Sequence, residues 1–92
     1  MARVELTAAA VEDLDRLIRS HSLPADTKDR LRRSVRLLER FPLVGAELSG
    51  RWSGFRFILG PWRWMVLVYI TLEDDERVVI VTIQDGRSSA FA

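Results

Sequence analysis

Hydrophobic positions change their period twice along this chain, and each change marks an element. Arg3-Val4-Glu5-Leu6 alternates and predicts a short first strand. Thr7 is placed to cap a helix from Ala8 to about Ser20, in which Val11, Leu14, Leu17 and Ile18 recur at helical spacing. Its acids stand early and its arginines late, as the helix dipole favours, with Glu12–Arg16 and Asp15–Arg19 as four-apart pairs. His21-Ser22-Leu23 is a break. Pro24 fits the first turn of a second helix, which runs to about Arg40 and is stopped by Phe41-Pro42. Leu31, Ser34, Val35 and Leu38 point one way on it; Arg32, Arg33, Arg36 and Arg40 point the other. The two helices read as an antiparallel hairpin.

Pro42, Gly45, Gly50 and Gly54 then mark a loop over residues 42–54, after which the period becomes two. Phe55–Leu59 is a strand, Gly60-Pro61 a two-residue type II′ turn, Trp62–Thr71 a strand, residues 73–76 an acidic turn, and Arg77–Gln84 the last strand. Residues 85–92 form a polar tail. The order is β-α-α-β-β-β. It predicts one α+β domain spanning residues 1–92, its helical hairpin packed on one face of an antiparallel sheet.

Register from the turns divides the sheet. One face carries Phe55, Phe57, Leu59, Trp62, Trp64, Val66, Val68 and Ile70, continued by Val79, Val81 and Ile83; it has no charge in its middle and reads as the face beneath the helices. The other carries Arg56, Ile58, Arg63, Met65, Leu67, Tyr69 and Thr71, with Val78, Ile80, Thr82 and Gln84; its mixed character reads as open and suited to a ligand or partner. A bulge at Gly86 would turn Arg87 toward Arg63, and paired arginines there would grip a phosphate. The plainer alternative pairs Arg63 with Asp85 and leaves Arg87 in solvent.

Composition narrows the class. The chain has 92 residues and a net charge of +1, with nearly half its residues apolar, enough for a core. Thirteen arginines stand against one lysine, which fits phosphate or carboxylate contacts and equally fits a GC-rich genome. The absence of cysteine excludes disulfides and thiolate zinc sites. No stretch reads as a signal or a membrane span, so the expectation is a soluble cytoplasmic protein. His21, the only histidine, reads as a solvated loop residue away from the sheet. Neither a metal motif nor a cofactor motif is present, and none of either is expected.

A family resemblance enters on particular residues. Leu37-Leu38-Glu39-Arg40-Phe41-Pro42 closes the second helix, Leu48-Ser49-Gly50 follows, Trp62-Arg63 opens the long strand, and Val79-Ile80-Val81-Thr82-Ile83 precedes Arg87. In order and spacing these resemble RelE/ParE toxins of type II toxin–antitoxin systems. The resemblance implies a growth inhibitor silenced by a cognate antitoxin. RelE-type members cut mRNA on the ribosome; ParE-type members poison DNA gyrase and lack the RNA-cutting residues. Arg63 matches the family's arginine that contacts the scissile phosphate, and Arg87 the one after the last strand that stabilises developing charge. Arg56 stands near a RelE lysine, while a second lysine falls near Ile58. The RelE C-terminal tyrosine has no match: Phe91 lacks the hydroxyl, and Tyr69 reads equally as a stand-in acid or as a packing residue with its tip in water.

Cutting RNA through its own 2′-hydroxyl needs an acid, a base and cations. Arginine supplies only the last. The candidate catalytic set is therefore Arg56, Arg63, Arg87 and Tyr69. Arg32, Arg33, Arg36 and Arg40 form a stripe for nucleic acid, the ribosome or an acidic antitoxin. Ile58, Leu67, Val78 and Ile80 read as an exposed antitoxin groove. Three functions stay open: an mRNA endoribonuclease, a non-catalytic gyrase inhibitor, and a degenerate toxin that keeps only antitoxin binding.

Overall fold

The structure, a computed structural model, describes residues 1–87. The expected tail beyond them, with Phe91, lies outside the described residues. Chain order is β1 (Arg3–Leu6), α1 (Ala8–Ser20), α2 (Thr27–Ser34), α3 (Leu37–Arg40), β2 (Ala46–Glu47), β3 (Arg56–Leu59), β4 (Met65–Leu72) and β5 (Arg77–Asp85), with a 3-10 turn at Gly50–Trp52. The strands make one sheet in the order β1-β5-β4-β3-β2.

The α+β class stands, but the sheet is mixed. β1 runs parallel to β5, with Val4 beside Val78 and Leu6 beside Ile80. The later strands are joined by hairpins and so alternate in direction. β1 has no hairpin partner; both helical and β-hairpin segments separate it from β5, so nothing local forces it antiparallel.

Thr7 caps α1 as its position suggests, accepting from the Ala10 N–H at 3.1 Å. Its hydroxyl also donates to the Val81 carbonyl, tying the helix start to β5. Ala10, Leu14 and Leu17 are buried, whereas Val11 is exposed. Asp15 reaches Lys28 of α2 at 3.0 Å, not Arg19, and joins the two helices.

The second helix starts later than Pro24 and divides in two. The Pro24 carbonyl takes both the N–H and the hydroxyl of Thr27, making a turn ahead of α2. At its far end the Ser34 hydroxyl bonds back to the Arg30 carbonyl and the Arg36 N–H bonds to Arg33. That tightened last turn separates α2 from α3.

The two sheet faces are exchanged relative to expectation. Met65, Leu67, Tyr69, Val78, Ile80 and Ile83 are fully buried in one cluster with Leu14, Leu17, Leu31 and Leu38 of the helices. Ile58, Val4 and Leu6 pack against it. The alternation rule misled because β4 is buried on both faces, from Met65 through Tyr69 without a break. A central strand of that kind reads as continuous apolar sequence, and its polar members do not report exposure.

Turn geometry differs too. Leu59 pairs with Val66, not Trp62, so the β3–β4 connection is wider than a two-residue turn; the Gly60 N–H bonds to Met65. The displacement is even, so parity along both strands is kept. Trp62 and Trp64 leave the strand and pack on the helix-side core. Between β4 and β5 the expected register holds from Leu72–Arg77 to Tyr69–Ile80, then slips at Val68, which faces Thr82. Val81 is the extra residue of this bulge, and it brings Ile83 to the helix side. Beyond Ile80, where β1 has ended, Asp13 of α1 accepts from the Thr82 hydroxyl at 2.6 Å and the Ile83 N–H at 3.2 Å.

Candidate functional site

Two of the four candidate catalytic residues meet at one place, and the other two lie elsewhere. Tyr69 is buried in mid-β4, opposite Arg56 of β3. Its phenol oxygen accepts the Gly45 N–H at 2.9 Å. Arg56 donates to the carbonyls of Leu43 (3.1 Å) and Gly45 (2.8 Å) and to Glu47 at 3.0 Å. Gly45 itself has no room for a side chain, since a Cβ would come within 2.5 Å of the phenol oxygen and 2.6 Å of the Phe57 carbonyl. Together Arg56, Tyr69 and Gly45 bolt the loop after α3 onto the sheet. Burial pushes the Tyr69 phenol up, and the Gly45 N–H and Arg56 offset this only in part. A phenol so held is a poor proton donor near neutrality.

Arg63 and Arg87 lie at the opposite end of β4. Met65, the first residue of β4, faces Asp85 and is four residues from Tyr69, roughly 13 Å along a strand. Arg63 is exposed in the β3–β4 turn. Arg87 grips the Asp85 carboxylate through Nε at 3.0 Å and Nη2 at 2.9 Å, and its guanidinium lies 5.0 Å from the centre of the Trp64 ring. The alternative pairing of Arg63 with Asp85 is thus taken by Arg87.

His21 is not a solvated loop residue away from the sheet. Its ring stacks on Trp64 at 4.5 Å, with Nε2 at 3.1 Å from Asp85 and Nδ1 at 2.8 Å from the Ser20 hydroxyl. Arg87, acting first through its side chain and then through its backbone N–H, holds the Asp85 carboxyl well below the usual carboxylate range; burial opposes this and His21 adds to it. Trp62 stacks beside Trp64, with Arg30 of α2 over it at 5.7 Å. This end of the sheet therefore joins α1, α2, the β3–β4 turn and β5. Both ring nitrogens of His21 are occupied, so no free nitrogen faces a substrate.

The expected antitoxin groove is not on the surface. Leu67, Val78 and Ile80 are fully buried beneath the helices and Ile58 packs against them, because the face that carries them is the covered one. Arg32, Arg33, Arg36 and Arg40 are exposed along α2 and α3, with Arg32 paired to Asp29 at 3.1 Å. Among the described residues no three His, Asp or Glu side chains come together as a metal site, and no helix is long and apolar enough to cross a membrane.

The His21–Asp85 contact joins residues far apart in sequence, and only the fold reveals it. Gly45 carried a weak signal, as one glycine among several in a loop.

This arrangement of helices on a five-stranded sheet is that of known toxin structures. A mutant of YafQ from E. coli superposes with a TM-score of 0.68 over 100% of both chains at 17% identity. The toxin–antitoxin complex RelBE2 from Mycobacterium tuberculosis gives 0.65 over 91% of this chain and 96% of that one, at 24% identity. The chromosomal ParDE system from P. aeruginosa gives 0.68 over 92% and 96%, at 17%. At such identities the likeness shows the fold alone. Among curated proteins none matches the sequence. Residues 4–89 do match the family model described as the ParE toxin of the type II toxin–antitoxin system parDE. The chain belongs to that family, a class of toxins from type II toxin–antitoxin systems.

Proposed function

We propose that this chain arrests growth by binding its target, DNA gyrase in the cytoplasm, without catalysis of its own, and that a cognate antitoxin silences it. One observation carries the reading: the only phenol is buried and committed to the Gly45 N–H. RNA cleavage needs a proton donor and acceptor beside the scissile phosphate. Tyr69 is some 13 Å along the strand from the arginine end. Arg56 is spent on loop carbonyls, and His21 has both nitrogens engaged. The ParE family match supports the same reading.

The ribonuclease alternative keeps only Arg63 and Arg87 in place, and Arg87 is already neutralised by Asp85. We assign the exposed stripe Arg32, Arg33, Arg36 and Arg40 to an acidic antitoxin, because it is a broad cationic surface on the helices, Arg32 and Arg36 bordering the β1 edge of the sheet. The test is supercoiling by purified gyrase. The chain should inhibit it, and the antitoxin should relieve the inhibition. Undiminished supercoiling at toxin concentrations that arrest growth in cells would remove gyrase as the target.

A further inference from the structure

The chain that runs from α3 into the loop held by Arg56 and Tyr69 bears an apolar surface. Leu37 (41% exposed), Phe41 (60%), Leu43 (48%) and Val44 (53%) lie within a single short stretch of chain, and all four show large apolar side chains to solvent. Leu37 and Phe41 are one helical turn apart and share a side. Single exposed apolar residues need no explanation; four together mark an interaction surface.

The segment is also held rigid. The carbonyls of Leu43 and Gly45 are gripped by Arg56 and the Gly45 N–H by Tyr69, while the Val44 N–H bonds to Phe41. Ordering entropy is thereby met before a partner arrives, which favours tight binding. Charge names the partner's character. Phe41, Pro42, Leu43 and Val44 line a shallow hollow of about 320 Å³ whose remaining wall is Asp75, in the acidic turn Glu73–Glu76. Arg3 and Arg77 meet the charge of Glu73, so the border is set by Asp74, Asp75 and Glu76.

We propose that this apolar loop and its acidic border form the surface that docks the toxin's protein target, on a hydrophobic cleft with a basic rim. The inference rests on the reading that the chain acts by binding a protein. An acidic antitoxin would be repelled by this turn, so the two partners centre on different surfaces: the target on Leu37, Phe41, Leu43, Val44 and residues 73–76, the antitoxin on Arg32, Arg33 and Arg36, with Arg40 at the border between them.

The experiment uses the full chain, induced without antitoxin, in two variants. Phe41→Ser/Leu43→Asn removes the apolar contacts. Asp74→Asn/Asp75→Asn removes two charges while keeping residues that tolerate the left-handed backbone found there. The first should abolish growth arrest and weaken gyrase inhibition roughly tenfold or more. The second should weaken inhibition less, and more at low salt than at high. Both should melt as the wild type does and still co-purify with the antitoxin. Full growth arrest by the first variant overturns the proposal, as does loss of antitoxin binding with arrest retained. If the wild type arrests growth but leaves gyrase untouched, the gyrase assignment fails by itself, and the growth assay of the variants still decides the docking surface. A wild type that arrests nothing removes both.

Discussion

The Gly45 N–H donates to the Tyr69 phenol oxygen at 2.9 Å, and a methyl group at position 45 would sit 2.5 Å from that same oxygen. Neither the phenol nor the Phe57 backbone on the other side can retreat easily. Gly45→Ala should therefore destabilise the fold by about 1–3 kcal/mol, as overpacking does. Urea unfolding checks it: an unchanged midpoint would mean the loop can lift off the sheet freely.

Tyr69→Phe tests the same contact from the other side. It keeps the ring and strips the acceptor, leaving a buried N–H without a partner at a cost of about 1–3 kcal/mol. Growth arrest per folded molecule should persist, weakened only as far as the loosened loop docks less tightly, because the phenol's work is structural. A variant that folds fully and binds its target as the wild type does, yet is inert, would restore Tyr69 as a functional acid.

Leu67 distinguishes a core from a groove. It is fully buried on β4, beneath the helices. Leu67→Ala should cost about 2–5 kcal/mol, seen as a lower melting temperature. Below that temperature the antitoxin affinity should be unchanged. Weaker antitoxin binding with an unaltered melting temperature would put Leu67 back on the surface.

Asp13 sets an acid limit on stability. Burial raises its carboxyl, but the Thr82 hydroxyl, Arg16 and the Ile83 N–H outweigh that and bring it below its ordinary value. A depressed carboxylate contributes stability that is complete above the unfolded value, about pH 4, and is lost as pH falls through the folded one. Wild-type stability should thus decline below about pH 4. Asp13→Asn should cost about 1–3 kcal/mol at neutral pH, and it should lose less on acidification. Parallel acid-unfolding curves for the two proteins would contradict this.

Much of the fold was legible in the sequence, for reasons that can be located. Thr7 and the Leu14–Leu17 spacing declare α1, and the acidic turn sets the β4–β5 register as far as Tyr69. What failed was the choice of covered face. Val66 and Val68 on one side and Met65, Leu67 and Tyr69 on the other are all buried, so apolar content could not discriminate. Arg56 and Tyr69 looked like open-face chemistry because sequence does not show that backbone groups of residues 43–45 satisfy them. The bulge at Val81 and the His21–Asp85 contact depend on how α1 lies against β5, which local pattern does not encode.

The most direct measurement is primer-extension mapping of mRNA in cells arrested by the chain without its antitoxin. The message should stay intact while supercoiling falls. Cuts within codons that disappear in Arg63→Ala, with that variant still folded, would contradict the account and return the chain to the ribonucleases.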